Sequence, residues 1–235
     1  MKREREIDMK YWNSLRWWVA VAASFFAGGF VATAQVDVAA LSQETQRVAQ
    51  GPNAMTMAWW MPEDFWAVTF AASPKAKAGE AEAALKAIRR YTVVAVLDGT
   101  PGASGAVSYR SGDELRQIMR LTDAWGNSYA PIAENEVDPA MKAMIQTMKP
   151  SLASTLGPLG QNLHFFLFPA RNDAGDPIAD ARARGRFSVA VGKTELKWRL
   201  PVDALLPAKS CDECKQECKG SWKYCPWCGT KLAEK

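Results

Sequence analysis

The clearest hydrophobic period lies near the C-terminal end, where Phe187, Val189 and Val191 alternate with polar or small residues. After Gly192-Lys193 the alternation resumes at Leu196, Trp198 and Leu200. A period of two turns one side of each segment inward, so the pattern predicts a two-stranded hairpin with one buried face. Upstream, Thr92–Leu97 is a β-branched apolar run, followed by Asp98-Gly99-Thr100-Pro101-Gly102 and a shorter extended candidate from Ala106 to Tyr109. That arrangement predicts a second hairpin. Leu163–Phe168 is a third strongly apolar segment, expected in the centre of a sheet. Asp123-Ala124-Trp125-Gly126-Asn127 has turn composition and leads into a candidate strand ending at Ile132.

Helical signals dominate the earlier chain. Val36–Gln50 reads as a short helix stopped by Gly51-Pro52. Pro62 opens a helix through Phe70, with Glu63 and Asp64 in the first turn, where the helix dipole favours negative charge. Ser73-Pro74 predicts another start, with Ala81, Ala84, Leu85 and Ile88 on one face and an end near Arg90. Asp138-Pro139 caps a further helix, with breaks at Pro150 and at the glycines and proline of residues 157–160, while Glu114–Leu121 fits either helix or strand. Hairpins joined by short turns, with helices mainly in the first half, predict an α+β fold with an antiparallel sheet rather than a doubly wound one.

Composition narrows the class. A hydrophobic share of 48% over 235 residues supports a packed core. The formal charge is +4, of which residues 1–34 supply +2, so the rest of the chain has no electrostatic footprint for nucleic acid and none is expected as a partner. The leading segment carries Lys2, Arg3, Arg5, Lys10 and Arg16, then an uncharged run from Trp17 to Gln35 that includes Ala32-Thr33-Ala34. That is the pattern of a signal peptide cut before Gln35, with an uncleaved anchor over residues 17–34 as the alternative. Either way residues 35–235 are expected outside the membrane, periplasmic or extracellular, because the basic leader stays inside. Membrane contact is then expected only through the N-terminal segment, and only if it is uncleaved.

The chemistry is concentrated at the other end. All five cysteines lie between Cys211 and Cys228, so the domain core is no disulfide scaffold. Cys211-Asp212-Glu213-Cys214 and Cys225-Pro226-Trp227-Cys228 are two CxxC pairs separated by ten residues. Two such knuckles can present four thiolates tetrahedrally, which makes Cys211, Cys214, Cys225 and Cys228 the expected ligands of a structural zinc. Two other readings stand beside it: exported thiols tend to oxidise, so each pair can close a disulfide, and CxxC pairs also serve redox catalysis. Cys218 breaks the paired spacing and is not needed as a ligand. The run Tyr224-Cys225-Pro226-Trp227-Cys228-Gly229-Thr230-Lys231-Leu232 resembles the short zinc ribbons at the ends of many bacterial proteins. The resemblance covers residues 211–232 and implies that the second knuckle turns on Gly229 while Leu232 packs on Tyr224. The short spacing leaves little room for a full three-stranded ribbon. The expected organisation is therefore a targeting segment over 1–34, an α+β domain over 35–208 and a four-cysteine tail over 209–235.

Other residue groups admit a functional and a structural reading. Met141, Met144, Ile145 and Met148 with His164 offer thioether and imidazole ligands for copper, but methionines at helical spacing are the usual mark of core packing, which is expected here. Trp59, Trp60, Phe65 and Trp66 would suit a sugar or peptide groove; without interleaved polar groups they are expected in the core. His164 lacks a partner for nucleophilic catalysis and is read as a strand-end residue. Asp98, Asp123, Asp173 and Asp176 are expected to serve glycine-containing turns, and Arg182-Ala183-Arg184-Gly185-Arg186 to form a solvated loop. No catalytic or cofactor-binding residue stands out. The expectation is an exported, non-catalytic envelope protein that binds a protein partner or surface ligand. The alternative is an enzyme, either a thiol–disulfide protein using the CxxC pairs or a carboxylate-dependent hydrolase.

Overall fold

Strand β3 (Tyr91–Pro101) is the centre of the largest of three antiparallel sheets among the described residues, and its Val93–Leu97 stretch is fully buried. Burial on both faces accounts for its unbroken apolar run. The computed structural model describes residues 36–51, 54–72, 78–102 and 106–233, and it is an α+β fold. β3 pairs on one edge with β2 (Ala54–Met61), and β2 pairs in turn with β1 (Gln46–Gly51). Its other edge is shared by β4 (Val107–Tyr109) near the end of β3 and β7 (His164–Pro169) along the first part.

Three expectations change here. The helix expected over Val36–Gln50 is only α1 (Val38–Thr45), capped by Asp37 Oδ1, which accepts from the amides of Ala39 and Ala40. From Gln46 the chain is extended, because pairing along the whole of β2 outweighs a weak local helix preference; Gly51 stands opposite Ala54 and does not stop a helix. Asp98-Gly99-Thr100-Pro101 belongs to β3 itself. The Leu163–Phe168 segment, expected in a sheet centre, is an edge strand among the described residues. Its apolar character reflects covered faces, and its free edge is shielded where the Ile132 amide donates to Leu167 O at 2.7 Å.

The second sheet has the order β6 (Ser128–Tyr129), β5 (Met119–Thr122), β8 (Gly185–Val191), β9 (Thr194–Leu200). The predicted β8–β9 hairpin is present with its register, and Phe187, Val189, Val191, Leu196 and Trp198 face inward. The ambiguous segment before it is both things in turn: α4 (Gly112–Ile118) passes directly into β5. Ser111 and Glu114 close a capping box at the start of α4. The sheets meet through aromatic rings. Trp60 meets Phe187 edge-on at 5.0 Å, and Phe187 stacks on Trp198 at 4.9 Å with ring planes 1° apart.

Helices α2 (Glu63–Ala71), α3 (Ala78–Ile88) and α5 (Pro139–Leu156) pack in succession, with α3 also on β3. The expected start of α3 at Ser73-Pro74 lies outside the described residues, as does the whole targeting segment. α5 continues through Pro150, where a break was expected, and ends instead at Gly157, whose φ of 57° takes the left-handed conformation. A four-residue helix, α6 (Pro158–Gln161), connects α5 to β7. The aromatic cluster is core: Trp60 and Trp66 are 1% and 0% exposed, which removes the open groove. Met141 is buried and Met144 and Met148 pack against the same core.

Candidate metal centre

The tail is built from two turns of one design. Cys211 N donates to Gln216 O and Lys215 N to Cys211 O; Cys225 N donates to Thr230 O and Gly229 N to Cys225 O. Each turn thus begins with a cysteine, and the residue four positions later takes positive φ, 58° at Lys215 and 78° at Gly229. The glycine suits that conformation and the lysine strains it. Lys215→Gly is therefore expected to stabilise the tail by about 1 kcal/mol, read as a rise in the chelator concentration needed to unfold it. No change or a loss would show that the first turn tolerates its lysine.

The short strands β10 (Lys209–Ser210) and β11 (Glu217–Cys218) pair at the base of the first turn, and Tyr224 bridges Lys231 at the base of the second. The four Sγ atoms of Cys211, Cys214, Cys225 and Cys228 all lie within 4.8 Å of one another. Two separations run between the turns, Cys211 to Cys228 and Cys214 to Cys225, each 3.5 Å. Four sulfurs around an ion with bonds of about 2.3 Å sit roughly 3.8 Å apart in a tetrahedron, so this cluster can hold a metal ion.

Local bonds prepare some of these thiols. The hydroxyl and backbone of Thr230 hold the Cys228 thiol down at about 6. Burial opposes ionisation of Cys225, but hydrogen bonds from the Cys228 and Trp227 backbone outweigh it and lower its pKa. At Cys214 the Gln216 backbone favours the thiolate, yet burial and the neighbouring thiols win and push it up to about 12. A cation is what lets all four ionise together, and its capture must then release protons and weaken in acid.

Cys211, Cys225, Cys218 and Leu232 form a separate small buried cluster, with Cys214 and Trp222 against it. Leu232 therefore packs among these cysteines and Trp222, and Tyr224, its partner in the resemblance, is exposed. Cys218 stands outside the four-sulfur group but is buried, and burial with a hydrogen bond to Cys225 keeps its thiol neutral, up to about 11.

The tail also has a seat on the domain. Asp203 accepts from Ser221 N at 3.0 Å and pairs with Lys219, while its own amide donates to the Glu44 carboxylate at 2.7 Å. A Cβ on Gly220 would lie 2.5 Å from Leu206 Cβ and 2.7 Å from Pro207 O, so only glycine allows this approach. Sequence reasoning missed the seat, because Asp203 and Gly220 carry no periodic signal. Compared with known proteins, the chain matches no family model, no curated protein and no solved structure.

The remaining candidates have local partners. Asp123 serves its turn as expected, its carboxylate accepting from the amides of Trp125 and Asn127, whereas the turn at Asp176 is closed by its backbone: Asn172 N donates to Asp176 O and Asp176 N to Asn172 Oδ1. Asp98 serves no turn; it is a nearly buried strand residue held by Thr56 Oγ1 and Arg110 Nε, each at 2.6 Å. Arg182 joins Asp64 and Leu205 O rather than solvent alone. His164 begins β7 with its ring against Gly112. Burial lowers its pKa, Lys149 adds to the shift and Asp113 opposes it. A lowered histidine pKa means the unfolded chain binds the proton first, so stability is lost as pH falls from about 6.5 through the folded value. His164→Gln is expected to flatten that part of a stability–pH curve; an unchanged slope would place the acid sensitivity elsewhere.

Proposed function

We propose that this chain is an exported, non-catalytic binding protein whose tail is a ribbon-like module closed around one structural zinc. The observation that carries the metal reading is the convergence of four sulfurs within 4.8 Å from two turns of the same shape. A set of four thiolates leaves no position open for substrate, which is the mark of a structural rather than a catalytic zinc site. Apart from the exposed Trp125, the domain's aromatic residues pack in or against its core, which points to its outer surface and the tail as the places where a protein partner or surface ligand binds. Export rests on the basic leader, the uncharged run and Ala32-Thr33-Ala34.

One experiment addresses both halves. Native mass measurement on protein from its own host should give a chain beginning at Gln35 with one zinc bound. Iron in the site, which four thiolates also accept, or two disulfides, would overturn zinc. Full-length protein in the soluble cytosol would overturn export, and full-length protein in the membrane would establish the anchor. A second reading, thiol–disulfide exchange, is favoured by one feature: Cys228 is exposed and its thiol is held at about 6. Under the zinc reading its reaction with a thiol reagent waits for chelation, whereas a redox thiol reacts at once.

A further inference from the structure

Between the domain and the tail lies a cleft of about 620 Å³. Arg47, Arg184 and Arg199 line its domain side, and Lys219, Trp222 and Lys223 its tail side. Two acids also reach it, but both are engaged: Glu44 accepts from the amides of Asp203 and Ala204, and Asp203 holds Ser221 and Lys219. Arg47 gives its guanidinium to the carbonyls of Glu44, Gln46 and Lys197. Arg184, Arg199 and Lys223 are left with no acidic partner among the described residues.

The hairpin register sharpens the imbalance. Arg186 stands directly opposite Arg199, both exposed, whereas Lys197 on the same strand finds Glu195 at 2.8 Å. Like charges facing each other across a strand pair destabilise it, so the fold carries a charge cost here that a bound anion would offset. We propose that this cleft binds a small molecule bearing a phosphate or diphosphate group. Three cations arrive from three elements, β9, the segment leading into β8 and the tail, and tetrahedral phosphate oxygens accept from several directions where a planar carboxylate fills a single fork. Trp222 with Leu200 and Pro201 offers apolar surface for the rest of the ligand.

Half of the site belongs to the tail, so ligand and metal are coupled: a chain stripped of metal loses the wall that carries Lys219, Trp222 and Lys223. That coupling rests on the metal reading above; the arginine wall does not.

Pyrophosphate is the probe, titrated calorimetrically into the full-length, metal-loaded chain at about 0.15 M salt, where diffuse attraction is screened. Saturable one-to-one binding is expected. Arg199→Gln and Arg184→Gln should each weaken it about ten-fold or more with the metal retained. Lys193→Gln, which removes the same charge at the exposed β8–β9 turn, should leave it within about two-fold. Absence of saturable binding, or equal weakening by Arg199→Gln and Lys193→Gln, overturns the proposal. Chelation should abolish binding; undiminished binding by the stripped protein overturns the tail's share. Vesicles containing phosphatidylglycerol form the last arm: Arg199-dependent sedimentation that pyrophosphate does not compete away would assign the cleft to a lipid surface and overturn the soluble ligand.

Discussion

Cys225→Ser is expected to empty the metal centre and unfold residues 209–233 while both sheets of the domain stay folded. The tail's own core holds four buried residues, Cys211, Cys218, Cys225 and Leu232. Ordering a segment of this length costs on the order of 1–2 kcal/mol per residue in backbone entropy, which so small a core cannot offset. Under the metal reading, coordination contributes on the order of 10 kcal/mol in small thiolate sites and is the term that closes the gap. Cys225 is buried and 3.5 Å from Cys214, so its replacement removes a ligand from the inside of the cluster. Metal content should fall from one per chain to below about a tenth at limiting metal, and protease should cut after Pro207 with the domain intact. Cys218→Ser is the matched control. It perturbs the same buried cluster but not the four-sulfur group, so full metal content is expected with a somewhat lower chelation midpoint. Metal lost equally from both variants would mean that Cys218 is a ligand.

The largest effect in the domain is expected at Trp198. Its ring is 1% exposed, stacked on Phe187, and Phe187 carries Trp60 of the other sheet. Arg47 lies over the ring at 5.6 Å, and the indole N–H donates to Thr45 O at 2.8 Å. Trp198→Ala empties the contact between the sheets, a change that costs about 3–5 kcal/mol in packed cores. It also orphans a buried carbonyl, which adds about 1–3 kcal/mol. Against a total stability of roughly 5–15 kcal/mol for a domain, that brings the variant close to unfolding. Trp198→Phe keeps most of the packing and loses the bond, so about 1–3 kcal/mol is expected from urea unfolding. If Trp198→Ala cost no more than Trp198→Phe, the joint between the sheets would lie elsewhere.

Legibility in the sequence followed the physics of each signal. The β8–β9 hairpin was plain because its alternation and its Gly192-Lys193 turn point to the same register. The cysteine spacing brought Cys211, Cys214, Cys225 and Cys228 together because two short loops leave the sulfurs few other places to go. β1 is misread, since Gln46–Gly51 carries no alternation and becomes a strand only by pairing with β2, the next strand along the chain. β7 was placed too centrally, because burial by helices and by a neighbouring sheet strand leave the same apolar run in the sequence. The capping box of Ser111 and Glu114 was readable and would have settled the ambiguous segment in favour of a helix start. Asp98 looked like a turn residue beside Gly99; only the positions of Thr56 and Arg110 make it part of a strand.

The seat that joins Glu44, Asp203 and Ser221 also governs timing. Thr45 meets Trp198 across 153 positions, Arg47 meets Lys197 across 150, and Glu44 meets Asp203 across 159. During synthesis the first helix and strand therefore emerge long before the residues that lock them, and closing so large a loop is entropically slow. The β1–β2 pairing is local, but the contacts that lock Glu44, Thr45 and Arg47 form only once nearly the whole domain has been made, and the cysteine turns, made last, arrive at a seat completed only a few residues earlier.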